Sequence, residues 1–222
     1  MDLTNQDLTD LIAFRRDLHR FPEISNEEEQ TARRVVEFLG DTNPSDLLTN
    51  LGGYGVALVY DSGESGPTIL FRSELDALPI EEVSDIEHRS GVAGKSHMCG
   101  HDGHTAILAA LARQFGREKP ARGRVVLMFQ PAEETGNGAA GVVKDPRYEE
   151  IRPDFAFSLH NLPGTPLGHV RLKPGVVNCA SRGMRITLEG KTAHSSMPET
   201  GVSPMWAIAT LMPALVKLGS GS

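Results

Sequence analysis

The stretch from Pro67 to Gln130 constrains the fold more than any other part of this 222-residue chain. Two apolar runs, PTILFR (67–72) and RVVLMFQ (124–130), stand either side of GHTAILAALARQFG (103–116), which has helical spacing and stops at a glycine. The runs are nearly continuous instead of alternating, the pattern of strands covered on both faces. A strand, a helix of about three turns and a second strand make a crossover unit. Such units build sheets with helices on both sides. GVALVY (55–60) and DFAFSLH (154–160) add further strands. The expected class is α/β: a mixed, largely parallel sheet sandwiched by helices.

Two helical patterns precede the sheet. Leu8, Leu11, Ile12, Arg15 and Leu18 mark one face of a helix that ends before Phe21-Pro22. Ser25, with Glu28 three residues on, has capping-box spacing for a second helix carrying Val35, Val36 and Leu39. From 168 to 189 the texture shifts to strands with fewer long apolar runs, and SPMWAIATLMPALVKL (203–218) reads as a helix. A boundary near Gly183 divides residues 1–182 from 183–218, where MRITLEG supplies the first strand of a second domain and 203–218 its first helix. GSGS (219–222) reads as a linker-like tail.

Composition narrows the function classes. A formal charge of −7 argues against nucleic acid or an anionic membrane as partner. No run of eighteen apolar residues occurs, so no membrane span is expected. The acidic start, MDLTNQDLTDLIAF, lacks the pattern of a signal peptide. Cys99 and Cys179 are the two cysteines, too few for a disulfide framework, and a reducing, cytoplasmic setting is expected.

The chemistry concentrates in HMCGHDGH (97–104), which holds three of eight histidines and one cysteine. Thiolate, imidazole and carboxylate are the protein groups that bind transition metals. Other candidates fall at strand ends. Asp76 follows PTILFR, Glu133 and Glu134 follow RVVLMFQ beyond Pro131, and His160 closes DFAFSLH. Cys99 and His101 sit just before the central helix. Ligands of open α/β sheets bind beyond the carboxyl ends of the strands, so four segments are expected to deliver metal-type donors to one rim. One of the adjacent glutamates suits a metal and the other a free base, and the residues alone leave open which is which. Asp102 suits a helix cap or a partner for a ligating imidazole. His97 and His104 are candidates for the surroundings of the site. His19, His88 and His169 read as surface or structural residues, and Cys179 as a small buried hydrophobe.

RRDLHRFPE (15–23), RSELDALPI (72–80), HMCGHDGHTA (97–106), FQPAEETGNGA (129–139), SLHNLPG (158–164) and GKTAHSSMPETGVSP (190–204) occur in order. They resemble the signature blocks of the M20 family of metallo-amidohydrolases, in the subgroup that hydrolyses N-acyl amino acids such as hippurate and auxin conjugates. The resemblance implies two divalent ions (Zn, Mn, Co or Ni) held by Cys99, His101, Glu134 and His160. It implies Glu133 as general base, Asp76 beside the metals, and His194 as a lid histidine that steadies the oxyanion. Glu74 stands where related peptidases place a metal-binding histidine. The resemblance also implies that residues 1–182 are the N-terminal part of a catalytic domain, and that a lid beginning at 183 makes a homodimer. Family members continue further, to a fifth metal-binding histidine, so the chain alone is expected to be inactive. The expected substrate is a small N-acyl amino acid.

Three other readings compete. A dipeptidase or aminopeptidase shares the metal core. A cysteine hydrolase would use Cys99 as nucleophile. A non-catalytic metal-binding fragment would use the donors without the chemistry.

Overall fold

The computed structural model describes residues 3–177 and 184–219, which fall into two compact units, Met1–Thr165 and Pro166–Ser222. The boundary expected near Gly183 and the place of Cys179 lie outside the described residues, as do the last three residues of the tail.

The first unit opens with helices α1 (Asn5–Arg20) and α2 (Glu29–Leu39). Thr4 caps α1, its hydroxyl accepting from Asp7 N–H while the Asp7 carboxylate accepts from Thr4 N–H. The buried face of α1 is Leu11, Phe14 and Leu18, whereas Leu8 and Ile12, expected on it, are about half exposed. The box expected at Ser25 and Glu28 does not form. Glu23 takes over that end of α2, its carboxylate accepting from Thr31 N–H at 2.7 Å and from the Thr31 hydroxyl at 2.8 Å. Ser25 and Glu28 point elsewhere, to Asp76 and to Ala132 N–H.

Strands β1 (Asp46–Leu51), β2 (Gly55–Asp61), β3 (Thr68–Glu74), β4 (Arg124–Gln130) and β5 (Phe155–Ser158) form one sheet in the order β1-β2-β4-β3-β5. The pairings β3–β4 and β3–β5 are parallel, and β1–β2 and β2–β4 antiparallel, so the sheet is mixed. Helix α3 (His101–Arg117) is the crossover between β3 and β4. Short helices α4 (Gly138–Lys144) and α5 (Tyr148–Ile151) follow β4.

One core lies under α1, α2 and α3, against Val56, Leu58, Val125, Leu127 and Phe129. The other joins Val142 and Ile151 to Ala57, Val59, Val126 and Met128 on the opposite face. Strands β2 and β4 are therefore buried on both sides, the physical reason their sequences are continuous. β5 lies at the sheet edge, with Phe155 and Phe157 exposed.

In the second unit α6 (Met205–Gly219) matches the expected helix and contains Pro213. Gly219 belongs to α6, not to the tail. The strand expected at MRITLEG is absent, as are those expected over 168–177. The described residues there offer no ladder partner, and a strand exists only through its pairing. The β pairing found in this unit is the Lys191–Val202 bridge.

Candidate metal centre

Parallel register aligns the carboxyl ends of three strands. Glu74 pairs with Gln130, and Arg72 with Ser158, so β3 and β4 end at one level and β5 two residues earlier on the same rim. α3 begins at the same rim with His101. Gly100, at φ 90°, makes the turn between Cys99 and His101, and a side chain there would meet Asn161 Oδ1 at 2.8 Å. Only glycine fits both conditions.

His101 is the hub. Its Nδ1 lies 2.7 Å from the Asp76 carbonyl and 3.5 Å from Asp76 Oδ1. Both neighbours only accept, so the proton sits on Nδ1 and the Nε2 lone pair faces the rim. Nε2 is buried without a hydrogen-bond partner, 3.7 Å from Glu134 Oε1 and 3.8 Å from Glu133 Oε2. Glu134 Oε1 is likewise buried and unpartnered. His160 repeats the arrangement: Nδ1 lies 2.7 Å from the Asn161 carbonyl, and Nε2 lies 3.3 Å from Cys99 Sγ. Donor atoms of Cys99, His101 and His160 all lie within 4.8 Å of one another, as do those of His101, Glu133 and Glu134.

Two buried lone-pair atoms 3.7 Å apart, neither with a hydrogen-bond partner, are costly. A cation removes that cost, and a set of one thiol, two imidazoles and carboxylates is a transition-metal set. Electrostatics agree. Burial, reinforced by the carboxylates of Glu134, Glu133 and Glu74, pushes the Cys99 thiol up to about 12. A dication at this place reverses that field and favours the thiolate.

A surrounding layer holds the donors. Burial works against the charge of Asp76, but hydrogen bonds from His101, Ser25 and the Glu134 and Glu133 N–H groups outweigh it and bring the carboxyl to about 2. Ser25 Oγ and Glu134 N donate to Asp76 Oδ2 at 2.7 and 3.0 Å. Buried Glu74 is gripped by Arg72 at 2.6 Å and by His104 Nδ1 at 2.9 Å, and His104 Nε2 accepts from Asn161 N–H at 3.0 Å. Glu74, His101 and His104 form a third close group. His97 is buried with neither ring nitrogen partnered. Of the two readings of His19, the structural one holds: it lies buried between Asp102 at 2.9 Å and Glu82 at 3.2 Å.

The rim thus brings together Cys99, His101, His160, Glu133, Glu134 and Asp76. His194 belongs to the second unit, in an open cleft lined also by Lys191 and Trp206, with Nδ1 at 2.8 Å from Ser196 Oγ. Glu28 and Asn161 were not among the expected residues. Asn161 carried a signal, since it adjoins His160 in SLHNLPG. Glu28 did not, because its spacing from Ser25 suits a helix cap equally well.

The chain is similar to known proteins over most of its length. The family model for peptidase family M20/M25/M40 matches residues 70–218. An N-acetyl-L-cysteine deacetylase of Bacillus subtilis is 37% identical over 210 residues, covering 92% of this chain and 49% of the relative. An N-acetyldiaminopimelate deacetylase of Listeria innocua is 32% identical over 191 residues, covering 86% of this chain and 51% of the relative. The crystal structure of Bacillus subtilis YXEP, described as a dinuclear metal-binding peptidase from the M20 family, superposes with a TM-score of 0.68 at 34% identity. That match covers 74% of this chain and 45% of the other. The chain spans about half the length of the curated relatives it matches. On its signature blocks, its mixed sheet and the donors gathered at one rim, the chain belongs to peptidase family M20/M25/M40.

Proposed function

We propose that this chain carries the metal-binding part of an amidohydrolase that cleaves the amide bond of small N-acyl amino acids. The observation that carries the reading is the convergence of sulfur, nitrogen and carboxylate donors on the unpartnered Nε2 of His101. The substrate class rests on the deacetylase relatives. Cys99, His101, Glu134 and His160 would hold two divalent ions, zinc, manganese, cobalt or nickel. Such ions, when bound, polarise a carbonyl and bring the pKa of a bound water towards about 7.

The remaining work falls to side chains. Glu133, the more exposed of the two glutamates, takes a proton at its carboxylate and returns it to the leaving amine. Asp76 fixes the tautomer of His101 through its carbonyl and the Glu134 backbone through its carboxylate. His194 is assigned to the oxyanion, residues 1–182 to the catalytic domain and 183–218 to the start of a lid. Dimerisation through the lid and a cytoplasmic setting complete the reading.

The test uses a form extended to the length of the relatives. Glu133→Gln is expected to keep both metals by elemental analysis while losing hydrolysis of N-acetyl amino acids. Hydrolysis that persists removes Glu133 as base. Activity that survives EDTA and dies with a thiol alkylator points instead to Cys99 as nucleophile.

A further inference from the structure

Four described residues other than glycine have a positive φ, and three are asparagines, which tolerate it. The fourth is Ala132, at φ 47°, immediately before Glu133 and Glu134. The left-handed region is unfavourable for alanine, so something must hold it there. Ala132 N–H donates to Glu28 Oε1 at 2.7 Å, across 104 residues of sequence. Glu28 is fully buried, and its other oxygen, Oε2, has no hydrogen-bond partner. Burial raises its pKa, with the Ala132 N–H opposing. A helix cap does not require such a placement, and Glu23 already serves that end of α2. The Ala132 carbonyl is fixed as well, by Gly138 N–H at 3.0 Å and the Thr135 hydroxyl at 3.3 Å.

We propose that Glu28 is a positioning residue: its buried carboxyl takes the Ala132 N–H and so locks the left-handed turn that aims Glu133 and Glu134 at His101. The inference rests on the reading of Glu134 as a metal ligand. The connection between α1 and α2 acts as a two-pronged brace. Ser25 secures Asp76, beyond β3, and Glu28 secures the turn beyond β4. Main-chain bonds anchor the brace itself: Ala77 N–H donates to the Glu23 carbonyl at 2.8 Å, and Ile24 bridges Ala77.

The experiment is Co²⁺ titration of this chain, read from its thiolate-to-cobalt and visible absorption bands, with circular dichroism monitoring the fold. Glu28→Met fills the same space without an acceptor and is expected to weaken Co²⁺ binding about 10–100-fold, the usual cost of losing a group that orients a ligand. Glu28→Gln keeps an accepting oxygen and is expected to stay near the parent affinity. Adding Ala132→Gly to Glu28→Met is expected to restore binding, because glycine takes a positive φ without strain. Should Glu28→Met alone lose its helical signal, the double variant is still expected to fold and bind. Parent affinity in folded Glu28→Met, or no recovery in the double variant, overturns the proposal. Glu134→Gln separates the two ideas. If it leaves Co²⁺ affinity unchanged, the ligand assignment fails; if it weakens binding while Glu28→Met does not, the brace alone fails.

Discussion

His101 donates its Nδ1–H to the main-chain carbonyl of Asp76 across 2.7 Å, and that bond decides which ring nitrogen meets the other donors. The side chain of Asp76 performs a separate task, holding Ser25 and the Glu134 N–H on one oxygen. Asp76→Asn leaves the carbonyl in place but can turn an amide donor towards Glu134 N–H. It is expected to weaken metal binding about 10–100-fold with the fold retained, checked by Co²⁺ titration and circular dichroism.

Cys99 gives metal binding a pH dependence. Its thiol stands at about 12 without an ion, chiefly through burial and then through the neighbouring carboxylates. Protons and metal compete for the sulfur, so acid weakens binding and alkali strengthens it. Apparent affinity is expected to rise about tenfold per pH unit for each proton released, measured by Co²⁺ titration between about pH 6 and pH 8. Cys99→Ser is expected to remove the thiolate-to-cobalt band.

His19 makes folding stability depend on pH in the other direction. Its partners Asp102 and Glu82 are both carboxylates, so both ring nitrogens donate. The hydrogen bond to Asp102 raises its pKa, burial opposes, and Glu82 adds to the rise. A raised folded value means the contribution is complete below about 6.5, the unfolded value, and fades as pH rises through the folded one. The melting temperature is expected to fall from neutral to alkaline pH, and less so in His19→Gln. That variant is expected to cost on the order of 1 kcal/mol at acid pH, since buried Asp102 loses one charged partner and keeps the Arg15 guanidinium at 3.1 Å.

Gly100→Ala tests the turn at the head of α3. The new Cβ would sit 2.8 Å from Asn161 Oδ1 at φ 90°. Backbone strain alone is expected to cost about 1–2 kcal/mol, with metal affinity falling as Cys99 and His101 shift. Chemical denaturation and Co²⁺ titration measure the two effects.

The sheet was legible because its central strands are covered on both faces, which writes burial directly into GVALVY and RVVLMFQ. β1 was not, since DLLTNL buries only Leu48 and Leu51 and lacks a continuous apolar run. The donors were legible from residue type and from their place at strand ends. What holds them was less so. Ser25 and Glu28 have the spacing of a local cap, yet both bond to residues more than fifty positions away, and spacing says nothing about such partners. His19 read as a surface or structural residue, and its sequence left the two open because its carboxylate partners are 63 and 83 positions distant.

β5 hydrogen-bonds to β3 along one side, no strand among the described residues pairs with its other side, and its Phe155 and Phe157 are more than half exposed. A bare edge of that kind is a template on which further copies can add strand by strand. For anyone purifying this polypeptide, aggregation is the practical hazard, and a lysine in place of Phe155 or Phe157 is the simplest remedy.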